Sequence, residues 1–323
     1  MSEKTITVVG SLNVDLVVRT RKVPAAGETV SGTGFAKHTG GKGANQAAAA
    51  ARLRTGDKTA VRLIGRVGRD AEGAHVVGTL AAFGVDTTGI GQDDHAPTGI
   101  AAITVDDKTG ENRIVLVAGA NDTLSPGALA THHDVLASAD VLLLQLEIPL
   151  PTVQTATRMG REKHARVILD PAPARALPLS LLRLCDYVTP NETELAILVG
   201  QSAGDAPRPL DEITQAATAL AALGARNVLV KLGPRGALLL TDDGATHVPA
   251  FTVAAVDTTA AGDVFNAAFA VALTEGHAPV AAARFAAAAA ALSVTRNGAL
   301  ASIPTRAEVD AFLAERSSAT APT

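Results

Sequence analysis

Short unbroken aliphatic runs recur along the chain, at 6–9, 61–64, 141–146, 167–169, 187–189 and 228–232, with helix-like stretches between them. A strand buried on both faces reads this way, whereas a half-solvated strand alternates apolar and polar side chains. The pattern predicts a Rossmann-like α/β body: a mostly parallel central sheet with helices on both faces. Helices are expected at 44–54, 71–83, 152–163, 192–199, 210–223, 263–275, 279–294 and 306–315. No repeat of solenoid period interrupts the alternation.

Two stretches break the rhythm. Residues 14–37 (VDLVVRTRKVPAAGETVSGTGFAK) and 99–117 (GIAAITVDDKTGENRIVLV) carry β-branched residues around turn-rich centres and read as strand pairs. The second is the clearer hairpin, because turn formers concentrate at 106–112 between two apolar arms. Together they predict a small β-sheet lid standing off the body, the alternative being edge hairpins with no role beyond packing. Residues 1–315 are thus read as a single domain with a discontinuous lid, and the polar end, 316–323, as a disordered tail.

Composition narrows this picture. Hydrophobic residues make up 47% of the 323, but aromatics only 2%, with no Trp. Ala, Val, Leu and Ile must therefore build the core, which suits small helices on aliphatic strands better than an aromatic-rich sandwich. The net charge of −4 comes without a basic stripe, so nucleic acid is not an expected partner. A lone Cys185 forms no internal disulfide, the opening MSEKTITVVGS lacks the features of a signal peptide, and no apolar run is long enough to span a bilayer. A cytoplasmic protein without a membrane partner is expected.

The candidate chemistry centres on VDTTAAGDVFNAAF, residues 256–269. Ala260, Ala261 and Gly262 are small, so a ligand can approach the backbone amides, and the helix that begins here adds partial positive charge. Asp263 lies in its first turn, where that field favours the ionised carboxylate, able to accept a proton from a hydroxyl. A plain N-terminal Asp satisfying free amides is the bland alternative. A second glycine-rich element, TGGKGANQAAAAA, sets Gly40, Gly41 and Gly43 before an alanine-rich helix. It is not a Walker A loop, because Gly43 and Ala44 follow Lys42, and no G-x-G-x-x-G follows the first strand.

Asn13 and Asp15, two apart in an extended segment, share a face and suit adjacent sugar hydroxyls, although either alone reads equally as a strand-end residue. Glu147 and the segment TPNETE end two buried strands on the side where open α/β sheets collect ligands. Asn191 and Glu194 have the spacing of a capping box, which does not exclude ligand contact. Lys231, Gly233, Arg235 and Gly236 read as a turn between two strands, with a nucleotide contact as the sharper reading. Zinc and serine-nucleophile templates are absent.

In combination and in order, GSLNVD, PAAGETVSG, GGKGANQAAAAARL, QLEIP, DPAPARALP, TPNETE, KLGPRGA, VDTTAAGDVFNAAF and VTRNGA make the chain resemble the PfkB family of carbohydrate kinases, and within it the ribokinases, over roughly residues 5–312. The resemblance implies ATP-dependent phosphorylation of D-ribose at its 5-hydroxyl, or of a related sugar or nucleoside such as deoxyribose or fructose. A catalytically silent sugar-binding protein is the alternative from another class. It implies Asp263 as general base, with Ala261 and Gly262 supplying anion-hole amides. Asn13, Asp15, Gly41, Lys42, Gly43, Asn45, Glu147 and Asp263 match positions that hold the sugar. Asn191, Glu194, Lys231, Gly233, Arg235, Gly236 and Gly262 match nucleotide contacts, the Asn191–Glu194 pair being linked to Mg²⁺. Asp257, Thr259, Ser293, Arg296, Gly298 and Ser302 fall where ribokinases hold K⁺. A homodimer through the lid is also implied. Ala260 stands where the family-wide motif has glycine, so a positive φ at this residue is not expected.

Overall fold

The computed structural model describes residues 4–318 apart from 203, 205 and 206. The first strand, β1 (Lys4–Val9), is buried from Thr5 onward, as a continuous apolar run requires. The chain then leaves the body as β2 (Asn13–Thr20), returns as β3 (Gly32–Gly40) and re-enters at α1 (Lys42–Leu53). After β4 (Thr59–Gly68), α2 (Ala71–Ala82) and β5 (Ile90–Asp93), a second excursion forms β6 (Gly99–Asp106) and β7 (Asn112–Val117). Alternation resumes with α3 (Pro126–Ala130), α4 (His133–Ala137), β8 (Val141–Leu144), α5 (Leu150–Glu162) and β9 (Arg166–Leu169). It continues through α6 (Leu179–Leu182), β10 (Tyr187–Val188), α7 (Glu192–Leu198), α8 (Leu210–Ala222) and β11 (Val228–Lys231). The hairpin β12 (Ala237–Thr241) and β13 (Gly244–Val248) precedes α9 (Ala261–Thr274), α10 (Pro279–Ser293) and α11 (Arg306–Ser318).

Among the described residues the main sheet has nine strands in the order β13-β12-β11-β10-β9-β8-β1-β4-β5. It is parallel from β11 to β5, and only the β12–β13 edge is antiparallel. Strand order runs outward in both directions from the β1–β8 pair, so the crevice at their carboxyl ends is the topological switch point where such folds bind ligands. The two excursions form one four-stranded sheet, β3-β2-β6-β7, which matches the expected lid.

Alanine decides how the helices stack. α1 is buried from Gly43 to Ala51 and α9 from Asp263 to Leu273. Side chains that end at Cβ let α1, α9 and α10 approach closely, and burying them costs no rotamer freedom. Where bulk is needed one aromatic pair supplies it: Phe269 of α9 meets Tyr187 of β10 edge-on, with ring centroids 5.0 Å apart. That contact, of a kind that contributes about 0.5–1.5 kcal/mol beyond its buried area, seats the helix carrying Asp263 on the sheet.

Two expectations change. α11 continues to Ser318, three residues into the expected tail, because the Arg316 guanidinium stacks 3.6 Å from the centre of the Phe312 ring one turn earlier; residues 319–323 lie outside the described part. The sequence reading also passes over β5, whose IGQD has neither the length nor the apolar run of a central strand.

Candidate active site

The α9 start is strained where the sequence suggests it would not be. Ala260 adopts φ 59° and ψ 9°, a left-handed conformation that costs a non-glycine residue about 1–2 kcal/mol. This reversal lets the 256–259 loop turn directly into the helix: Val264 N–H donates to Ala260 O at 2.9 Å, and Ala261 N–H to Thr258 O at 3.2 Å. The Ala261 amide, expected as an anion-hole donor, is therefore engaged within the turn. Among the described residues, nothing accepts from the Gly262 or Asp263 amides, and these are the free donors that a helix N-terminus offers an anion. The Lys231 ammonium lies beside them, 3.6 Å from where a Gly262 Cβ would stand.

Asp263 is 4% exposed, and its carboxylate reaches toward α1. Asn45 Nδ2 donates to Oδ2 at 2.9 Å and Gln46 Nε2 to Oδ1 at 3.0 Å. Burial pushes its pKa upward, opposed by the Lys42 charge and these amide donors. The helix field alone suggested the reverse; desolvation outweighs it, which brings the acid nearer to a useful proton acceptor. Gln46 was not singled out in the sequence. Two amides at the head of an alanine run were the available signal.

Lys42 opens α1 at Gly41, whose φ of 91° and close contact with Ser11 O, 2.8 Å from a built Cβ, admit only glycine. Its ammonium is held charged above the ordinary lysine range by Asp263 first, then Asp170, Glu147 and Glu194, against the cost of burial. Glu147, at the end of β8, accepts from Ser11 Oγ at 2.6 Å and from the Lys42 amide at 3.1 Å. Asn13 Oδ1 accepts from Asn121 Nδ2 at 2.8 Å, and Asn121 also clasps both backbone groups of Leu12, pinning the hinge between body and lid.

Asp15 points to the same side, over Gly40, where any Cβ would collide with its carboxylate. Its pKa rises to about 6 through burial and then through the charges of Glu147 and Asp263. As an anion Asp15 can accept hydrogen bonds from hydroxyl groups; below about 6 it holds a proton. A hydroxyl-bearing ligand bound there is therefore expected to bind more weakly as pH falls through 6, measured by calorimetry between pH 5 and 8. Stability follows the opposite sign: with a folded pKa above the unfolded 3.8, this group's contribution is largest below that value and is lost as pH rises through about 6.

Asn191 and Glu194 form the expected capping box on α7, with Glu194 N–H on Asn191 Oδ1 at 2.8 Å and Asn191 N–H on Glu194 Oε2 at 2.7 Å. Burial raises the Glu194 pKa, and Lys231 lowers it. Residues 233–236 make the hairpin turn between β11 and β12. Gly236, at φ 93°, lies against Val248 O, where a side chain has no room. Arg235 turns out of this turn to pair with Glu192 at 2.6 Å and with the Arg208 carbonyl, so the structure does not bring its guanidinium to the site.

A cavity of about 460 Å³ runs from Lys231, Ala261 and Gly262 to a wall of Phe251, Val253, Ala287 and Val294, floored by Gly233 and Gly236. One end offers free amides and a cation; the other is apolar and suits a flat base. Behind it Asp257 joins two loops, accepting from Thr259 N and Oγ1 at 2.9 and 2.6 Å and from Gly298 N at 2.8 Å. Ser293 and Ser302 lend their protons to Ala290 O and Ala299 O, and Arg296 turns to Glu308 at 2.6 Å.

A further residue, Asp170, was also missed. It is 2% exposed at the end of β9 and lies between Lys231 Nζ, at 2.9 Å, and Gln46 Nε2, at 3.0 Å. Like Glu147, it is an acid directly after a buried strand, and the sequence offered that same signal.

The proteins this chain is similar to carry chemistry that this geometry suits. It is 42% identical to a ribokinase of Haemophilus influenzae over 310 residues, 96% of this chain and 98% of that one. A deoxyribokinase of Salmonella typhimurium is 38% identical over 309 residues, 95% and 98% of the two chains. The fold matches that of an Arabidopsis thaliana ribokinase complexed with ribose and ATP, with TM-score 0.88, 36% identity, and coverage of 97% of this chain and 99% of the other. Residues 3–306 match the family described as pfkB family carbohydrate kinase, and the chain belongs to that family.

Proposed function

We propose that the chain transfers the γ-phosphoryl group of ATP to the 5-hydroxyl of D-ribose, giving D-ribose 5-phosphate and ADP. The observation that carries this reading is the buried Asp263 carboxylate, held by Asn45 and Gln46, one residue from a free Gly262 amide at the mouth of a cavity. The new bond joins the ribose oxygen to phosphorus, the bond from phosphorus to the β-phosphate oxygen breaks, and the hydroxyl proton passes to Asp263. A carboxylate is a weak base toward an alcohol, so it aligns the hydroxyl first and takes the proton late. The Gly262 and Asp263 amides and the Lys231 and Lys42 ammonium groups face the charge on the transferring group. Asn13, Asp15, Glu147 and the Gly41–Gly43 backbone hold the sugar, and the lid keeps water from competing with it.

Among the described residues no three His, Cys, Asp or Glu side chains gather to cage a metal. That fits Mg²⁺ arriving on the nucleotide, because this ion keeps its waters and takes phosphate oxygens with one or two carboxylates; Glu194, beside Asn191, is the carboxylate in reach. Bound there, the ion would compensate charge on the phosphates. The loops joined by Asp257 fit K⁺: the hydroxyl protons of Ser293 and Ser302 are already donated, leaving oxygen lone pairs free, and Arg296 is neutralised by Glu308. The 257–259 loop leads into Ala260, so a cation bound there would steady the free amides.

The assay that tests the function is ADP release over a panel of ribose, deoxyribose, fructose and nucleosides, with potassium compared against tetramethylammonium. Ribose is expected to give the highest kcat/KM, with potassium raising it. A different preferred sugar replaces the substrate, and the 38% identical deoxyribokinase makes deoxyribose the second reading. Calorimetric sugar binding without turnover would support a silent binding protein.

The lid exposes Phe35, Ile114 and Val115 at 69, 57 and 66%. Ile114 and Val115 lie on β7, an edge strand exposed along its whole length, and Phe35 on the opposite edge, β3; exposed apolar side chains on open edges ask for a cover, and a second copy of the chain is the proposed one. Val115→Asp is expected to turn a dimer into a monomer in sedimentation velocity; a wild-type monomer at micromolar concentration would remove the proposal.

A further inference from the structure

Behind the candidate base lies a continuous polar chain buried in an otherwise aliphatic interior. Gln145 Nε2 donates to Gln46 Oε1 at 2.7 Å, which fixes the amide so that its NH₂ group faces the acids. That NH₂ group donates to Asp263 at 3.0 Å and to Asp170 at 3.0 Å. The other oxygen of Asp170 takes Lys231 Nζ at 2.9 Å. The pair is 13 and 2% exposed, and Lys231 then borders the cavity beside Gly262.

A buried ion pair is a poor source of stability compared with apolar side chains of the same volume. Its geometry here has another use: Asp170 accepts the side-chain hydrogen bond that the Lys231 ammonium makes, while Glu194 acts on that ammonium through charge alone, and without Asp170 Gln46 loses one of the two acids that orient it. Resting on the kinase reading above, we propose that Asp170 is a positioning residue for phosphoryl transfer, holding the Lys231 ammonium against the transferring group and, through Gln46, the Asp263 carboxylate against the sugar hydroxyl. One acid thereby sets the spacing between the phosphate side and the base side of the reaction.

Three variants test this: Asp170→Asn, Lys231→Met and the double replacement. Asp170→Asn keeps the shape and removes the charge. It is expected to lower kcat about 30-fold and weaken MgATP binding about tenfold in calorimetry, with the sugar KM changed less than about threefold. Because part of the Asp170 effect runs through Lys231, the double variant should lose less than the product of the two single losses, a non-additivity that a merely structural role would not give. The double variant also leaves no lone buried charge, so it serves if Asp170→Asn does not fold. An Asp170→Asn enzyme within twofold of wild type in both kcat and MgATP affinity overturns the proposal, as do single losses that multiply in the double variant. Failure of the kinase reading looks different: the wild-type chain itself would not turn over ribose, the kcat ratio would be taken on the sugar it accepts, and the MgATP affinities would decide Asp170 even with no sugar turned over.

Discussion

Asp263→Asn is expected to reduce kcat by about 10³-fold, within the range that one general base contributes. The replacement is nearly isosteric, and the loss has two sources. An amide cannot accept the hydroxyl proton as the bond to phosphorus forms. Moreover, both carboxylate oxygens now accept side-chain amides, from Asn45 and Gln46; the new NH₂ group must face one of those donors, so the side chain also loses its orientation. Lys42 loses the largest of the negative charges that hold its ammonium, which loosens its hold on the transferring group as a secondary effect. The cavity walls at Phe251, Val253 and Val294 are untouched, and MgATP affinity in calorimetry should stay within about threefold. A folded variant with near-normal turnover would take the base role from Asp263.

The second large effect falls on a residue that touches no substrate atom through a side chain. Gly43→Ala sets a methyl group 2.6 Å from Gly10 C and Ser11 N and 2.7 Å from Ser11 O. Backbone surrounds it on one side and the first turn of α1 on the other, so no rotamer relieves the clash. α1 must slide away from the β1–β2 turn, breaking the bond from Ala44 N–H to Ser11 O, now 3.0 Å. Overpacking of this kind costs on the order of 3 kcal/mol, a fall in Tm of roughly 6 °C in thermal unfolding. Because Asn45 and Gln46 travel with α1, kcat should fall by about 10²-fold in the folded fraction, the cost of a misplacement near 1 Å. An unchanged melting temperature would show that the junction between α1 and the β1–β2 turn gives more than this packing allows.

Much of the site was legible because strand ends and helix starts write themselves locally. Asp263 after three small residues, Glu147 after a buried strand, and Asn191 three residues before Glu194 each announce a position in the fold from a few neighbours, and each stands at the strand-end rim. Asp170 gave the same local signal and was passed over, because a single acid after a strand is common and its partners, Lys231 and Gln46, lie 61 and 124 residues away. Arg235 shows the opposite case: its place in the turn was readable, but the direction of its guanidinium depends on Glu192, to which it turns away from the cavity. Ala260 went against local expectation because a backbone strain of one residue is decided by where the loop must deliver the helix.

The sequence by itself determined the layer architecture, the two strand pairs outside it and the helix that bears the acid, because hydrophobic period and backbone propensity act over a few residues and need no distant partner. Tertiary structure decided the rest: which amides stay free at the α9 start, how far burial lifts the Asp263 carboxyl, and that Gln46, Asp170 and Lys231 form one chain. Those outcomes depend on desolvation and on hydrogen bonds between groups brought together only when β1, β8, β9 and β11 align their ends, and both vary too steeply with distance to be read from spacing along the chain.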